Sequence, residues 1–512
     1  MSNSRILKNS AFLYLRLLIT LALGLFTTRI VINALGIADY GIYGVVAGLI
    51  TMFGFMNAAM SSSTQRYLSF DLGLKDSTKL QQTFTTAVNI HLLIGVVTFL
   101  LAEGVGLWAV NHLLDIPEDR LGASNIAFQF SLIAFFFGII QVPYHAAIIA
   151  YERMNAYAYI SIVEAVLKLS AAYLLMSAPF DRMIFYSQLL ALISFICFTA
   201  YYTYVKVQFK GVKYIKYFDK RYYKEILSFS GWNLFGNIAA VSRNQGLNIL
   251  LNIFFGVAVN AAYAVAMMIQ GVLTQFAASI QQAINPQIIK SYAERDCSRA
   301  SELISLSSKY AFFLLLLPVI PFYLNLEFVL YAWLGDVPGY ASSFVSYIFI
   351  FILVEIISLP LVVGIQAAGK VKVYQLSVSS VIILVLPIAY VCLDLGYREP
   401  DVVFALVILS SVAAFFVRLY FVKKFMSFDG CKFFRESIVR ISYVLMLVLP
   451  VVVVIDKYND MYGIHKVVID CIYVGLIIFF SVYFFGMNAK EKNATKLFIM
   501  MRLREKGWRQ IK

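Results

Sequence analysis

Five cationic side chains, Arg16, Arg29, Lys168, Arg243 and Arg418, sit inside long apolar runs of this sequence, and they carry most of its chemical potential. A charge deep in an apolar segment is costly, so it is expected to face a cavity or a partner. A guanidinium there stays charged and offers planar, bidentate donors, which suits it to hold an anion. Arg16 lies near the start of the first run, with Thr20 and Thr27 at i+4 and i+11 on its helical face. Arg29 is rotated ~140° from Arg16 on an ideal helix, so a straight helix cannot aim both into one narrow lumen. It either lines a wider lumen or snorkels to the nearby interface. Asn233, Asn237, Asn244 and Asn248 fall within a ~60° sector, a polar stripe that either binds neighbouring helices or lines a wet cavity. Arg243 lies ~80° outside that stripe but deepest in its run. Gln275, Ser279 and Gln282, and likewise Asn57, Ser61 and Thr64, repeat the i, i+4, i+7 spacing.

The acidic candidates are fewer. Glu164 precedes Lys168 by one turn in the favoured orientation, as a self-neutralised pair or an ion-coupling site. Glu355 is central in its run and reads as a proton or sodium carrier, or as a protonated carboxyl bonded to a neighbouring helix. The candidate substrate-binding set is therefore Arg16, Arg29, Asn233, Asn237, Arg243 and Asn244, and the ion-coupling set is Glu355, Glu164 and Lys168. His91, His112, His145 and His465 are isolated and read as packing or interface residues. Cys197, Cys297, Cys392, Cys431 and Cys471 are scattered, without disulfide or metal spacing. Phosphate-loop, metalloprotease and nucleophile-elbow motifs are missing, which predicts a protein without cofactor or catalytic residues rather than an enzyme.

The elements that must position these residues follow from composition. Hydrophobic residues make up 61% and charged residues 14%, against the roughly 25% charged of an ordinary globular domain. Fourteen apolar runs are long enough to cross a bilayer as helices, at 10–35, 43–65, 84–110, 124–150, 156–178, 183–205, 227–255, 261–285, 309–333, 342–368, 373–393, 401–422, 439–455 and 466–487. Continuous runs exclude an outer-membrane barrel, whose segments alternate. The predicted fold class is all-α, a polytopic membrane protein.

With both termini cytoplasmic and every run crossing, the cytoplasmic segments hold all but ten of the 42 Lys and Arg residues. Five of the ten lie inside spans, and five, Arg120, Arg182, Arg398, Lys457 and Lys466, lie in external loops. This is the positive-inside bias. The external loops instead collect Asp115, Glu118, Asp119, Asp336, Asp394, Glu399, Asp401, Asp456 and Asp460. A net charge of +14 spread over alternate loops fits contact with an anionic leaflet rather than nucleic acid. Residues 1–9 carry Arg5 and Lys8 before a run too long for a cleavable signal.

The stretches NALGIADYGIYGVVAGLITMF at 33–53 and IFFGVAVNAAYAVAMMIQGVL at 253–273 align without a gap at an offset of 220, matching Gly36 with Gly256 and Tyr43 with Tyr263. Asp76/Asp296 and Lys75/Arg295 follow at the same offset. This predicts two parallel-repeat lobes of six helices: 1–205, then a basic joint at 206–226, then 227–425. Helices thirteen and fourteen at 426–487 and a basic tail at 488–512 are additions. The charged positions did not duplicate: Arg16 aligns with Gly236, Arg29 with Ile249 and Arg243 with Leu23.

A first span ending in LGIADYGIYG, fourteen spans, a duplicated half, a basic middle segment and the second-half opening FSGWNLFGNIAAVSRNQGLNILLNIFFGVAVNAAYAVA together resemble the polysaccharide (O-antigen type) flippases of the multidrug/oligosaccharidyl-lipid/polysaccharide exporter superfamily. The resemblance implies a bacterial inner-membrane translocase that moves an undecaprenyl-pyrophosphate-linked oligosaccharide to the outer leaflet by alternating access. A coupling H+ or Na+, membrane lipids and other polysaccharide-assembly membrane proteins would be its partners. Two alternatives stand beside it: a cation-coupled drug or metabolite antiporter of the same superfamily, and a membrane glycan polymerase. The polymerase reading lacks a long external loop to house it. The antiporter reading would place acidic residues in the first helix, which here carries two arginines and no Asp or Glu.

Overall fold

The structure is a computed structural model that describes residues 3–51, 54–112, 114, 116–178, 180–397, 399–457, 459 and 461–493. Arg398, Asp115, Asp460 and most of the basic tail lie outside the described residues, as does the Asn57 side chain. Every regular element described is helical. Contacts divide the chain into two compact units, Asn9–Ile238, and Ala239–Lys512 taken with Met1–Lys8. We call them the N-unit and the C-unit.

The N-unit is built from α1 (Asn3–Leu35), α2 (Ile37–Thr51), α3 (Gly54–Leu74), α4 (Ser77–Leu101), α5 (Leu107–His112), α6 (Glu118–Ile140), α7 (Val142–Ala150), α8 (Met154–Leu175), α9 (Arg182–Gln208) and the start of α10 (Lys220–Phe255). The C-unit continues α10 through α11 (Val257–Ala293), α12 (Cys297–Leu324), α13 (Leu326–Leu334), α14 (Ala341–Ala367), α15 (Val371–Ile383), α16 (Val385–Asp394), α17 (Asp401–Met426), α18 (Gly430–Phe433), α19 (Val439–Lys457) and α20 (Ile464–Ser481).

Among the described residues, 12 helices are long and apolar enough to cross a membrane. They coincide with twelve of the fourteen predicted spans. The second predicted span crosses residues 52–53, outside the described residues, and the seventh is too polar to join the twelve. The second is represented by α2 and α3, on either side of Met52 and Phe53, and α3 carries Ser61 to Thr64. The seventh lies in α10, whose 36 residues are ample in length but include the asparagine stripe and Arg243. Large apolar side chains such as Leu25, Phe26, Leu93, Met446 and Phe479 are exposed on the helix surfaces, as a hydrocarbon solvent requires. The chain is thus an all-α, polytopic membrane protein.

The 220-residue repeat is written into the backbone. Gly36 ends α1 at φ +82° and Gly256 ends α10 at φ +79°. Each glycine N–H donates to the carbonyl four residues back, Ile32 or Asn252, at 2.9 Å. Further on, Lys75 and Arg295 adopt φ of 57° and 63°. Asp76 and Asp296 then cap α4 and α12, accepting from the backbone N–H of Lys79 and Arg299 at 2.9 Å. A helix stop, a left-handed residue and an aspartate cap recur in register, so the matching residues are turn and cap chemistry.

Within the N-unit, α7 packs against α3, α8 and α9. Ala146, Ala147 and Ile148 there bury with Leu68, Phe84 and Tyr201. Arg120 ties three helix ends together, at 2.5 Å from both Asp39 and Asp181. In the C-unit α14 lies against α11, α12 and α17. The added helices are pinned to α12 by Asn325 donating to Asp470 at 2.6 Å, and the start of the tail by Lys309 paired with Glu491 at 2.8 Å.

Candidate functional site

The N-unit holds an open cavity of ≈ 690 Å³ whose walls are polar faces of otherwise apolar helices. From α1 come Arg16, Thr20, Gly24 and Thr27, spaced i, i+4, i+8 and i+11. Tyr157, Ser161, Glu164 and Lys168 on α8 are spaced i, i+4, i+7 and i+11. At 3.6 residues per turn each set forms one stripe, so a periodicity in the sequence becomes a wall in the fold. Gly138 and His145, from the end of α6 and the start of α7, and Gln141 between those helices line it too, with Ser61 of α3 and Tyr201 of α9.

The charges in this cavity are arranged unequally. Glu164 and Lys168 form a 2.6 Å ion pair and largely cancel. Arg16 meets no carboxylate among the described residues; its Nη1 donates to the Tyr157 hydroxyl. The guanidinium lies 4.7 Å from the centre of the Tyr157 ring, a cation–π geometry that holds the charge without neutralising it. Its Nε is buried with no hydrogen-bond partner. The net result is a cavity with one uncompensated positive charge, ringed by hydroxyls and an amide.

A second charged cluster lies in the C-unit. Arg418 of α17 pairs with Glu355 of α14 at 2.7 Å and also donates to Ser358. Ser411 donates to the other Glu355 oxygen at 3.0 Å. Arg243 on α10 is buried, feels the same carboxylate, and donates from Nε and Nη2 to Asn244 Oδ1 at 3.2 Å. Its guanidinium lies 5.3 Å from the Phe351 ring centre. Arg418 is thus the ion partner of Glu355, and Arg243 lies within its electrostatic reach.

The structure therefore distributes the sequence candidates. Arg16 enters the N-unit cavity together with Glu164 and Lys168, the pair the sequence assigned to ion coupling. Arg29 is exposed and is not among the residues lining that cavity, as its ~140° rotation from Arg16 requires. Arg243 and Asn244 join Glu355 in the C-unit cluster. The Asn stripe does not act as one surface: Asn233 is buried, Asn237 is half-buried, and Asn248 accepts from Asn260 at 2.6 Å in a bond between α10 and α11. Glu355, which has no partner in its own stretch of sequence, has Arg418 and Ser411 in the fold.

Sequence reasoning passed over Tyr157, Gln141, His145 and Arg418 as site residues. The stripe spacing of Tyr157, Ser161, Glu164 and Lys168, and the single helical turn between Gln141 and His145, were available signals. The Arg418–Glu355 bond spans 63 positions, 418 − 355, and has no local signature.

No family model and no curated protein sequence matches the chain. Solved structures do. A multidrug resistance MATE family transporter of the MOP superfamily, in an outward-facing conformation, matches with a TM-score of 0.69 at 14% identity, covering 82% of this chain and 96% of that one. A MATE structure in the straight conformation gives 0.68 at 15% identity, over 83% and 96%. A MOP superfamily transporter from Pyrococcus furiosus, described as having a binding pocket of reverse polarity that suggests a different function, gives 0.65 at 13% identity, over 82% and 96%. At such identities the likeness is one of architecture: the chain has the fold of the MATE transporters of the MOP superfamily.

Proposed function

We propose that the chain is a membrane transporter that works by alternating access and takes its cargo in the N-unit cavity. The observation that carries this is the Arg16 guanidinium held over Tyr157, without a carboxylate partner, in a cavity ringed by hydroxyls and an amide. A cavity with net positive charge stabilises an anionic head group, and its hydroxyls and amide suit a sugar. A lipid-linked oligosaccharide, whose pyrophosphate must pass an apolar barrier while its tail stays in the bilayer, fits that chemistry. Arg243, beside Asn244 and Glu355 in the C-unit, is a second cation of the same kind.

A cation-coupled drug or metabolite antiporter is the second reading, and the comparisons favour it, because two of the matched structures are MATE transporters. Glu164 would then be the exchangeable carboxylate in the cavity. The two readings separate in proteoliposomes of the full-length protein. For the first, a polyprenyl-pyrophosphate-linked oligosaccharide crosses leaflets, Arg16→Ala abolishes crossing, and no cationic dye is moved. Dye efflux driven by a proton or sodium gradient, without glycolipid crossing, would establish the antiporter instead.

A further inference from the structure

His145 lines the same cavity as Arg16, yet its side chain makes no hydrogen bond among the described residues. Its Nε2 is buried and unpartnered. The imidazole packs on Tyr157 with ring centres 4.6 Å apart, and edge-on to Tyr201 at 5.9 Å. Tyr157 is also the residue that receives Arg16. One tyrosine thus contacts both the uncompensated cation and the unpartnered imidazole. Gln141, one turn before His145, contributes a third orphan, its Oε1. Buried polar atoms normally find partners, so the two orphan nitrogens, Arg16 Nε and His145 Nε2, mark groups that a bound acceptor would satisfy, whereas the Gln141 oxygen needs a donor.

The electrostatics say which ligand. Among the described residues, the cavity receives Arg16 from α1, Tyr157, Glu164 and Lys168 from α8, Tyr201 from α9 and the Ser61 hydroxyl from α3. Glu164, the sole carboxylate among the described lining residues, is engaged by Lys168 at 2.6 Å. With the cavity empty, a proton on His145 would face Arg16, and neither ring N–H meets an acceptor among the described residues. An entering oxyanion removes that repulsion and supplies the acceptor. We infer that Arg16, Tyr157 and His145 form a subsite for a phosphate-class oxyanion, and that His145 takes up a proton as the anion arrives. This rests on the anionic-cargo reading proposed above, and it links each anion bound to one proton gained by the protein. Release of the anion on the far side would return that proton, so cargo and proton would move together.

The test is calorimetry on the full-length protein in nanodiscs, with sulfate as probe because it stays fully ionised over the range used. Titrations in two buffers of different ionisation heat count protons without any substitution. The expected result is buffer-dependent heat that corresponds to proton uptake in the wild type, with Arg16→Gln losing binding. His145→Gln should weaken binding about tenfold at pH ~6, match the wild type at pH ~8, and lose the buffer dependence. Arg16-dependent binding without proton uptake, unchanged by His145→Gln, would overturn the role of His145 and leave the anionic cavity standing. No sulfate binding by the wild type would remove the anionic cavity itself.

Discussion

Arg418 and Glu355 meet at 2.7 Å, both largely buried, and Arg243 acts on the same carboxylate. Removing one member of a buried ion pair leaves its partner's charge uncompensated, at about 3–5 kcal/mol. Glu355→Gln would leave the Arg418 guanidinium without its carboxylate. The expected outcome is a lowered thermal midpoint of that order, partly restored in Glu355→Gln/Arg418→Gln, where the orphaned charge is removed too. Unfolding of the purified variants in nanodiscs measures it. A Glu355→Gln protein of full stability that lost only its ion dependence would return Glu355 to the role of carrier.

Gly256 holds φ +79° with ψ −174°, a region essentially confined to glycine. No atom lies within 4 Å of where a Cβ would stand at Gly36 or Gly256, so the cost of substitution there is backbone strain alone. Gly256→Ala is expected to lose about 1–3 kcal/mol. Gly256→Asn should do no better, because an asparagine tolerates the left-handed helical region and this ψ lies outside it. Gly36→Ala should lose about 1 kcal/mol or more, and the double variant should add, each glycine belonging to its own unit. Thermal unfolding of the three alanine variants and Gly256→Asn checks this, and a neutral Gly256→Ala would refute it.

These two cases mark what the sequence made legible. Apolar runs, glycine stops and aspartate caps are local signals, and Gly36, Gly256, Asp76 and Asp296 act where the repeat put them. Polar stripes were legible as stripes, but their use was not. Asn248 turned to Asn260 across a helix pair, while Arg16 turned to Tyr157 and kept its charge open. Which way a stripe faces is decided by packing between different helices, 12 positions apart for Asn248 and Asn260 and 141 for Arg16 and Tyr157, and periodicity holds no record of it. The rotation between Arg16 and Arg29 was legible in full, because it depends on helix geometry alone.

Asp71, beyond the second predicted span, is 1% exposed and accepts a hydrogen bond from Thr83. Burial pushes its carboxyl up to about 6, against the opposing pull of the Thr83 hydroxyl, Lys79 and Arg66. The folded protein therefore binds more protons than the unfolded chain between pH ~3.9 and that value, and stability falls as pH rises through the window. Above it the cost is fully present, about 3 kcal/mol as an upper scale. Asp71→Asn keeps an acceptor for Thr83 and removes the charge. Its thermal midpoint should match the wild type at pH ~4 and exceed it at pH ~8. Parallel midpoint curves for the two proteins would show that the buried carboxyl carries no such penalty.

Glu164 decides between the two cargo classes, because it shares the cavity with Arg16 and offsets Lys168 at 2.6 Å. The pair is half-exposed, with side chains 45% and 33% accessible, so it adds little to stability. Glu164→Gln should leave the thermal midpoint within about 0.5 kcal/mol of wild type. Its electrostatic effect is larger: one more uncompensated cation faces the cargo. If the cargo is an anion, Glu164→Gln binds it more tightly and releases it more slowly, so affinity rises while turnover falls. If the cargo is a cation exchanged for a proton, the same variant loses both affinity and gradient dependence. Measuring affinity and turnover on the one variant therefore separates the classes by the sign of the change in affinity, whatever the identity of the glycan or drug.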